Sequence, residues 1–545
     1  MTGSTECARV VVEELISFGV RDVVLSPGSR NAPLSYELFE ADKIGLLRLH
    51  VRIDERSAAF TALGLAKGSG LPVPVVTTSG SAAGNLHPAM MEAWHARVPL
   101  IAITADRPAS MINSGANQTT RQRGLFAGHV RAEIQLSGDD LAARAWRFEL
   151  QRGLVACSGR RTMIAGPLHL NIAFSEPLVP EPIEALEEEY REITAVARGT
   201  EITELPAEPL TVIVAGDLPV VDGQQLALIA DRAAVPLLAE PSSNARAAAT
   251  AIGSYRLLLQ SSLTDDIERV IVVGHSTLSR PVSSLLRRTD LELIIVDSSP
   301  EWSDPQLNAD RVIAGFTIGD PQSANQDWLE RWRQADRQLR TKIDELVDDT
   351  ESITGPALAQ TLWDRLAEED LLFVGSSSPV RDLDLVATRP VGPAVYANRG
   401  LAGIDGSVST AVGLALAADQ PAHALLGDLT FLHDSNGLII GATEPQPRLR
   451  ILVANDNGGS IFATLEQGHP AQMGAFERIF GTAHGVDLGA VAASVAATYT
   501  KIDKLADLDQ LLQSPPAGLE IVDVTVDRRH RRTLDQQLNS LAAML

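Results

Sequence analysis

Short uninterrupted apolar runs recur along this chain. Each closes on a polar or glycine-rich turn, and small-residue stretches at helical spacing lie between them. VRDVVLSPGS (20–29), PVPVVTTSGS (72–81) and VPLIAITADRP (98–108) are three such runs, and RSAAFTALGLAKGSG (56–70) is an Ala- and Leu-rich helix that stops at glycines. Runs without polar alternation suit strands buried on both faces. Strands alternating with helices predict parallel sheets covered by helices, an α/β architecture. Ligands of such sheets bind beyond the carboxyl ends of the strands, so the polar residues just after each run are the candidates for chemistry.

The pattern is interrupted twice. An acid- and proline-rich stretch, EPLVPEPIEALEEEYREITAVARGTEITELPAEP (176–209), separates the first series from one containing TVIVAG (211–216), VIVVGH (270–275) and LELIIVD (291–297). A polar helix, QDWLERWRQADRQLRTKIDELVDDTESI (326–353), then leads to a third series with LLFVGSSS (371–378), HALLGDLTFLHD (423–434) and RILVANDNGGSIF (450–462). These breaks predict three doubly wound parallel-sheet domains, residues 1–185, 210–350 and 351–545, with a linker over 186–209. A length of 545 residues accommodates them at roughly 150 residues per domain.

Charge and composition narrow the class. The chain has 46 Lys+Arg against 69 Asp+Glu, a net −23, which argues against a nucleic-acid partner because such binding draws on cations that neutralise phosphates. No apolar run reaches the ~18 residues of a membrane span. The beginning, MTGSTECARVVVEEL, has acids inside its apolar stretch and does not read as a signal peptide. Cys7 and Cys157 neither staple a fold of this size nor form a zinc pattern. The expectation is a cytoplasmic enzyme, and any anionic substrate must find local arginines in an acidic protein.

Two strand ends in the third block carry the most specific pattern. HALLGDLTF places Gly427 and Asp428 at one, and RILVA ends at Asn455-Asp456-Asn457-Gly458-Gly459. A carboxylate, an amide or second carboxylate, and a turn carbonyl supply the hard oxygen ligands of magnesium. Glycines let backbone approach a diphosphate carried by that metal. Asp, Asn and Gly are also ordinary turn residues, but the two turns at this separation resemble the thiamine-diphosphate signature, GDG followed by NN. Leu429 stands in place of the third motif residue and Asp456 in place of the second Asn. Register stays open: counting from Asp428 selects Asn455, whereas aligning on the strand and the following glycines selects Asp456 with the Gly458 carbonyl. Upstream, Gly403 and Gly406 open a helix of small residues (398–418) suited to tight packing against the sheet.

Glu55 opens the helix of the first block, just after the short strand LLRLHVRI. An acid there offsets the helix dipole. It also fits the carboxylate that thiamine catalysis requires, one that shares a proton with the pyrimidine ring nitrogen so that the cofactor's amino group can take the proton from its reactive carbon.

SPGSRNAPL (26–34), DERSAAFTALGLAKGSG (54–70), TTSGSAAGNLHPA (77–89), TADRP (104–108) and SGANQTTRQ (114–122) fit one family throughout. So do SSSPVRDLD (376–384), NRGLAGIDGSVSTA (398–411), GDLTFLHD (427–434) and NDNGGSIF (455–462). Together they resemble the 2-succinyl-5-enolpyruvyl-6-hydroxy-3-cyclohexene-1-carboxylate synthase family, over essentially the whole chain. The resemblance implies pyrimidine-binding, middle and diphosphate-binding domains in that order, and a homodimer or homotetramer with active sites at the subunit interface. It implies thiamine diphosphate with Mg2+ or Mn2+ as cofactors, and 2-oxoglutarate and isochorismate as substrates of menaquinone biosynthesis. Glu55 is then catalytic. Ser377, Gly427, Asp428, Ile461 and Phe462 join it around the cofactor, with Asp428, Asn455 or Asp456, and Gly458 at the metal. Arg30, Arg107, Gln118, Ser377, Arg381 and Arg399 line the substrate pocket, with Arg280 as a further carboxylate partner and Phe462 and Leu465 in the apolar wall. The arginines suit this independently, since guanidinium forks match carboxylates and the two substrates carry four.

A GxSxG elbow and a P-loop are both missing from the sequence. The competing readings are another thiamine carboligase, such as an acetolactate synthase, and a non-catalytic thiamine-fold homologue.

Overall fold

The computed structural model describes residues 3–140, 142–179, 199–348, 352–389, 391–418 and 420–544. The apolar runs of the first block become six parallel strands: β1 (Asp22–Leu25), β2 (Arg48–Val51), β3 (Val73–Thr77), β4 (Leu100–Asp106), β5 (Ala132–Ser137) and β6 (Leu168–Ala173). Their order is β2-β1-β3-β4-β6-β5. Every residue of β1, β3 and β4 is buried, as the unbroken apolar runs require. One face packs on the helices Gly3–Phe18 and Ala143–Ser158 through Val11, Leu15, Trp146 and Leu150.

The middle block follows the same plan. After β7 (Thr203–Leu205) come β8 (Thr211–Ala215), β9 (Leu237–Ala239), β10 (Arg269–Val273), β11 (Glu292–Val296) and β12 (Arg311–Ile313), in the order β12-β11-β10-β8-β9, and then β13 (Phe316–Ile318). Most of the expected linker lies outside the described residues. Its last part forms β7, which pairs in parallel with β13. The third block repeats the first: β14 (Leu371–Val374), β15 (Ala394–Tyr396), β16 (Ala422–Gly427), β17 (Leu449–Asn455), β18 (Thr498–Ile502) and β19 (Leu519–Thr525) are parallel, in the order β15-β14-β16-β17-β19-β18. All three sheets thus reverse chain order beside their first strand, and that reversal opens the crevice where doubly wound sheets bind ligands.

The helix Ser323–Asp348 reads as polar, yet Trp328 and Trp332 are buried in it. They join Val212 and Val270 of the middle sheet to a core continuous with Leu362, Leu372 and Leu452 of the third block. The Trp328 indole nitrogen donates to the Thr211 carbonyl at 3.0 Å, whereas that of Trp332 is buried without a partner among the described residues.

Contacts divide the chain into two units. One comprises Met1–Arg198, Gly400–Asp419 and His433–Arg448, the other Gly199–Arg399, Gln420–Leu432 and Leu449–Leu545. The helix Ser407–Ala417, expected against a sheet, packs instead on the helix Glu55–Ser69. A methyl group on Gly64 would lie 2.1 Å from the Thr410 carbonyl oxygen, and one on Gly413 2.1 Å from that of Thr61. Only glycines permit so close a helix crossing. Among the described residues no helix is long and apolar enough to cross a membrane.

Candidate functional site

In the first unit, Glu55 follows β2 by a short turn and begins its helix after Asp54, whose carboxylate caps the amides of Arg56 and Ser57. Half-buried Glu55 meets the Asn85 amide nitrogen at 3.4 Å. The crossing at Gly64 and Gly413 anchors the helix behind it. Arg56 donates to the His433 carbonyl at 3.0 Å, and the Asn436 amide to Asp54 at 2.8 Å, so the turn bearing Glu55 is tied down on both sides.

Three further predicted residues gather at the carboxyl ends of β1, β3 and β4. Arg30, after β1, is buried and donates to the Phe174 carbonyl at 2.8 Å. Burial, and next the charge of Arg107, lower the proton affinity of Arg30. Arg107 follows β4, and its Nε is buried without a partner. Gln118 lies over the turn after β3: its side-chain amide donates to the Ser79 carbonyl at 3.1 Å, and the Ser79 hydroxyl donates to the Gln118 backbone carbonyl at 2.8 Å. Two guanidiniums held together against their own repulsion, beside an amide with spare hydrogen-bonding capacity, are suited to an anion.

In the second unit the ends of β14, β16 and β17 lie side by side. Ser377, after β14, has φ 78° and ψ −133°, nearly the conformation of Gly80 after β3 (φ 83°, ψ −133°). A side chain costs of order 1–3 kcal/mol in such backbone, strain that clusters at functional sites. Arg381 donates to the Ser377 carbonyl at 2.6 Å and fixes the turn. Gly427 leaves open space beside its α-carbon, where a methyl group would meet only the Thr430 hydroxyl at 3.9 Å.

Asp428 is buried at the end of β16. One carboxylate oxygen accepts the Leu429 amide at 2.6 Å; the other takes the Gly458 amide at 2.8 Å and faces His484 Nε2 at 3.1 Å. Burial raises the Asp428 pKa above the ordinary carboxylate range. At the end of β17 the two candidate ligands part. Asn455 donates to the Asp523 carboxylate on neighbouring β19 at 2.9 Å. Asp456 keeps a buried oxygen without a partner, and burial followed by the charge of Asp428 pushes it up to about 7. A buried and a half-buried carboxylate that repel each other, the second with an idle buried oxygen, are suited to a shared cation. Ile461, Phe462 and Leu465 follow within and just after the turn Ser460–Thr464, all half-buried, with the Phe462 ring 5.5 Å from Phe480.

Cations also gather beside Ser377. Burial lowers the proton affinity of Arg381, and the charges of Arg399 and Arg256 lower it further. Arg399 is buried and donates to the Thr277 hydroxyl at 2.6 Å. The loop holding Thr277 is itself fastened by buried Glu240, which accepts from the Ser276 hydroxyl (3.1 Å) and the amides of Thr277 (3.0 Å) and Leu278 (2.9 Å). Arg280 opens the helix Arg280–Leu285 just after this loop and is exposed. The sequence reading missed Glu240, Thr277, His484 and Asp523. Each acts through a partner far along the chain, and no local spacing marks it.

Residues 5–125 match the family model described as thiamine pyrophosphate enzyme, N-terminal TPP binding domain. Proteins named 2-succinyl-5-enolpyruvyl-6-hydroxy-3-cyclohexene-1-carboxylate synthase are similar over nearly the whole chain. The one from Nocardioides sp. (strain ATCC BAA-499 / JS614) is 43% identical, covering 99% of this chain and 98% of the relative. That from Renibacterium salmoninarum is 43% identical over 99% and 97% of the two chains, and that from Mycobacterium marinum 42% over 98% of each. Likeness of this extent, together with strand-end residues that suit a metal and anionic ligands, shows that the chain belongs to the 2-succinyl-5-enolpyruvyl-6-hydroxy-3-cyclohexene-1-carboxylate synthase family of thiamine-pyrophosphate enzymes.

Proposed function

We propose that this protein decarboxylates 2-oxoglutarate with thiamine diphosphate and adds the remaining succinyl unit to isochorismate. The products are 2-succinyl-5-enolpyruvyl-6-hydroxy-3-cyclohexene-1-carboxylate and CO2, in menaquinone biosynthesis. The reading includes a cytoplasmic homodimer or homotetramer with active sites at the subunit interface. The supporting observation is the pairing of desolvated guanidiniums, Arg30 with Arg107 and Arg381 with Arg399, in a chain of net charge −23. Such pairs favour multiply anionic substrates that the rest of the surface repels.

The residues present fit the cofactor. Asp456, with its idle buried oxygen, and Asp428 would hold Mg2+ or Mn2+ with the Gly458 carbonyl, a small anionic set that leaves positions for diphosphate oxygens. Gly427 and Ser377 would face the cofactor from the strand ends, and Ile461 and Phe462 would give it an apolar wall. Thiamine diphosphate, when bound, supplies the carbanion stabilisation that decarboxylation of a 2-oxo acid needs. Glu55 holds the proton that activates it. Arg381 and Arg399 bind and orient 2-oxoglutarate, with Arg280 at the rim of the middle domain. Arg30, Arg107 and Gln118 bind isochorismate, and Phe462 and Leu465 keep water from the reacting carbon.

Losing one member of a buried charge-assisted pair costs about 2–5 kcal/mol. Arg399→Ala and Arg107→Ala are therefore each expected to lower catalytic efficiency by roughly two to three orders of magnitude. Rapid-mixing measurement of CO2 release separates them. Arg399→Ala should slow CO2 release from 2-oxoglutarate; Arg107→Ala should release it normally and fail to consume isochorismate. Equal reaction with pyruvate would remove the need for a tail-carboxylate site and favour an acetolactate-type carboligase.

A further inference from the structure

Beneath Arg30, Arg107 and Gln118 runs a buried polar network whose centre is Asn171, on β6. Its amide oxygen accepts from the Thr104 hydroxyl at 2.7 Å and from Gln122 Nε2 at 2.8 Å. Its nitrogen donates to Asp106 Oδ2 and to Gln135 Oε1, both at 2.9 Å. All four bonding positions of the side chain are filled, and only an amide both donates and accepts in this way. The hydroxyl proton of Thr104 points at Asn171, so His169, 2.9 Å away, donates through Nε2. Burial pushes His169 down to about 4, which keeps it neutral in that role.

Two of the four branches leaving Asn171, through Asp106 and through Gln122, end at loops carrying substrate residues. Asp106 accepts the backbone amide of Arg107 at 2.7 Å, and its charge acts on Arg30. Gln122 is buried and bridges two strand ends, donating to the Ala105 carbonyl at 3.2 Å and accepting the Gly80 amide at 2.9 Å. Gly80 adjoins Ser79, the partner of Gln118. Hydrogen bonds thus tie the loops after β3 and β4 to one side chain, and the charge of Asp106 extends the link to Arg30 after β1. The tie is directional, because reversing or removing a single donor leaves a buried acceptor facing another acceptor.

We infer that Asn171, acting with Gln122, is the positioning residue for the isochorismate half of the site: it sets Arg107, Arg30 and Gln118 in register without touching substrate. The inference rests on the function proposed above. It predicts a selective defect, since the hydrogen bonds described for the network all lie within the first unit.

The test compares Asn171→Asp, Asn171→Ala and Gln122→Glu with the parent holoenzyme in two assays, CO2 release from 2-oxoglutarate and steady-state turnover at varied isochorismate. Asn171→Asp sets a second carboxylate against Asp106. Gln122→Glu keeps the acceptor for Gly80 and loses the donors to Asn171 and Ala105. The expected result is an isochorismate KM raised about tenfold or more, with the rate of CO2 release and the KM for 2-oxoglutarate within about twofold of the parent. Normal CO2 release also certifies that a variant is folded and loaded, and Gln122→Glu serves if both Asn171 variants fail to fold. An unchanged isochorismate KM, or parallel loss in both assays for every variant that folds, overturns the inference. A parent enzyme inert toward isochorismate would instead remove the proposed function, and this inference with it.

Discussion

Glu55→Gln is expected to retain thiamine diphosphate while losing about 10²–10⁴-fold in turnover, the range of general acid–base contributions. The amide preserves the size of the side chain and can still meet Asn85, which lies 3.4 Å from the Glu55 carboxylate. It cannot share a proton with a pyrimidine nitrogen. The helix should not shift, because its cap is Asp54 and its anchor is the contact of Gly64 with Thr410. Hydrogen–deuterium exchange at the reactive carbon of the bound cofactor isolates this step from substrate binding. Exchange at the parent rate in Glu55→Gln would show that a different group carries the proton.

The second large effect concerns the metal. Asp428→Ala should abolish cofactor retention at any practical Mg2+ concentration while the protein stays folded. Asp456→Ala should weaken Mg2+-dependent binding by more than about 100-fold, whereas Asn455→Ala, which releases the bonds to Asp523 and the Asn457 amide, should change it a few-fold. Calorimetric titration of cofactor with Mg2+ reads all three, and unchanged affinity in Asp428→Ala would remove the metal assignment. Acidity should act in the same direction. Burial and Asp428 push Asp456 up to about 7 in the metal-free protein, and a metal binds only the ionised form. Mg2+ affinity should therefore fall by up to about tenfold per pH unit below 7. The apoprotein should follow the opposite linkage: a carboxyl with a raised folded pKa contributes stability below the ordinary carboxylate range, and this is lost as pH climbs through 7.

The unbroken apolar runs made the sheets legible, because strands covered on both faces need no polar alternation. Glycines marked the ends, as at Gly70, which closes the helix Glu55–Ser69 in a left-handed conformation. Choosing between Asn455 and Asp456 was beyond the sequence. Side chains of a strand alternate between faces, so a difference of one residue in where β17 ends reverses which of the two faces Asp523 and which faces Asp428. The strain at Ser377 was equally hidden, since glycine is the residue expected at that φ. Contacts between distant segments account for most of the remainder. Gly64 reads as an ordinary small helical residue until Gly413 and Thr410 are seen against it. Thr277, which no motif marks, meets Arg399, whereas Arg280 at the start of the next helix is exposed. The network around Asn171 joins residues from β4, β5 and β6 with a loop; Thr104, Asp106 and Gln122 lie in the motifs TADRP and SGANQTTRQ, but Asn171, which joins them, lies in none.

The most direct test of the proposed activity incubates the protein with thiamine diphosphate, Mg2+, 2-oxoglutarate and isochorismate and follows the products by mass spectrometry. The prediction is stoichiometric loss of both substrates with release of CO2 and appearance of 2-succinyl-5-enolpyruvyl-6-hydroxy-3-cyclohexene-1-carboxylate, dependent on both cofactors. Isochorismate left intact while the protein holds thiamine diphosphate, or an equal yield of adduct from pyruvate, would contradict it.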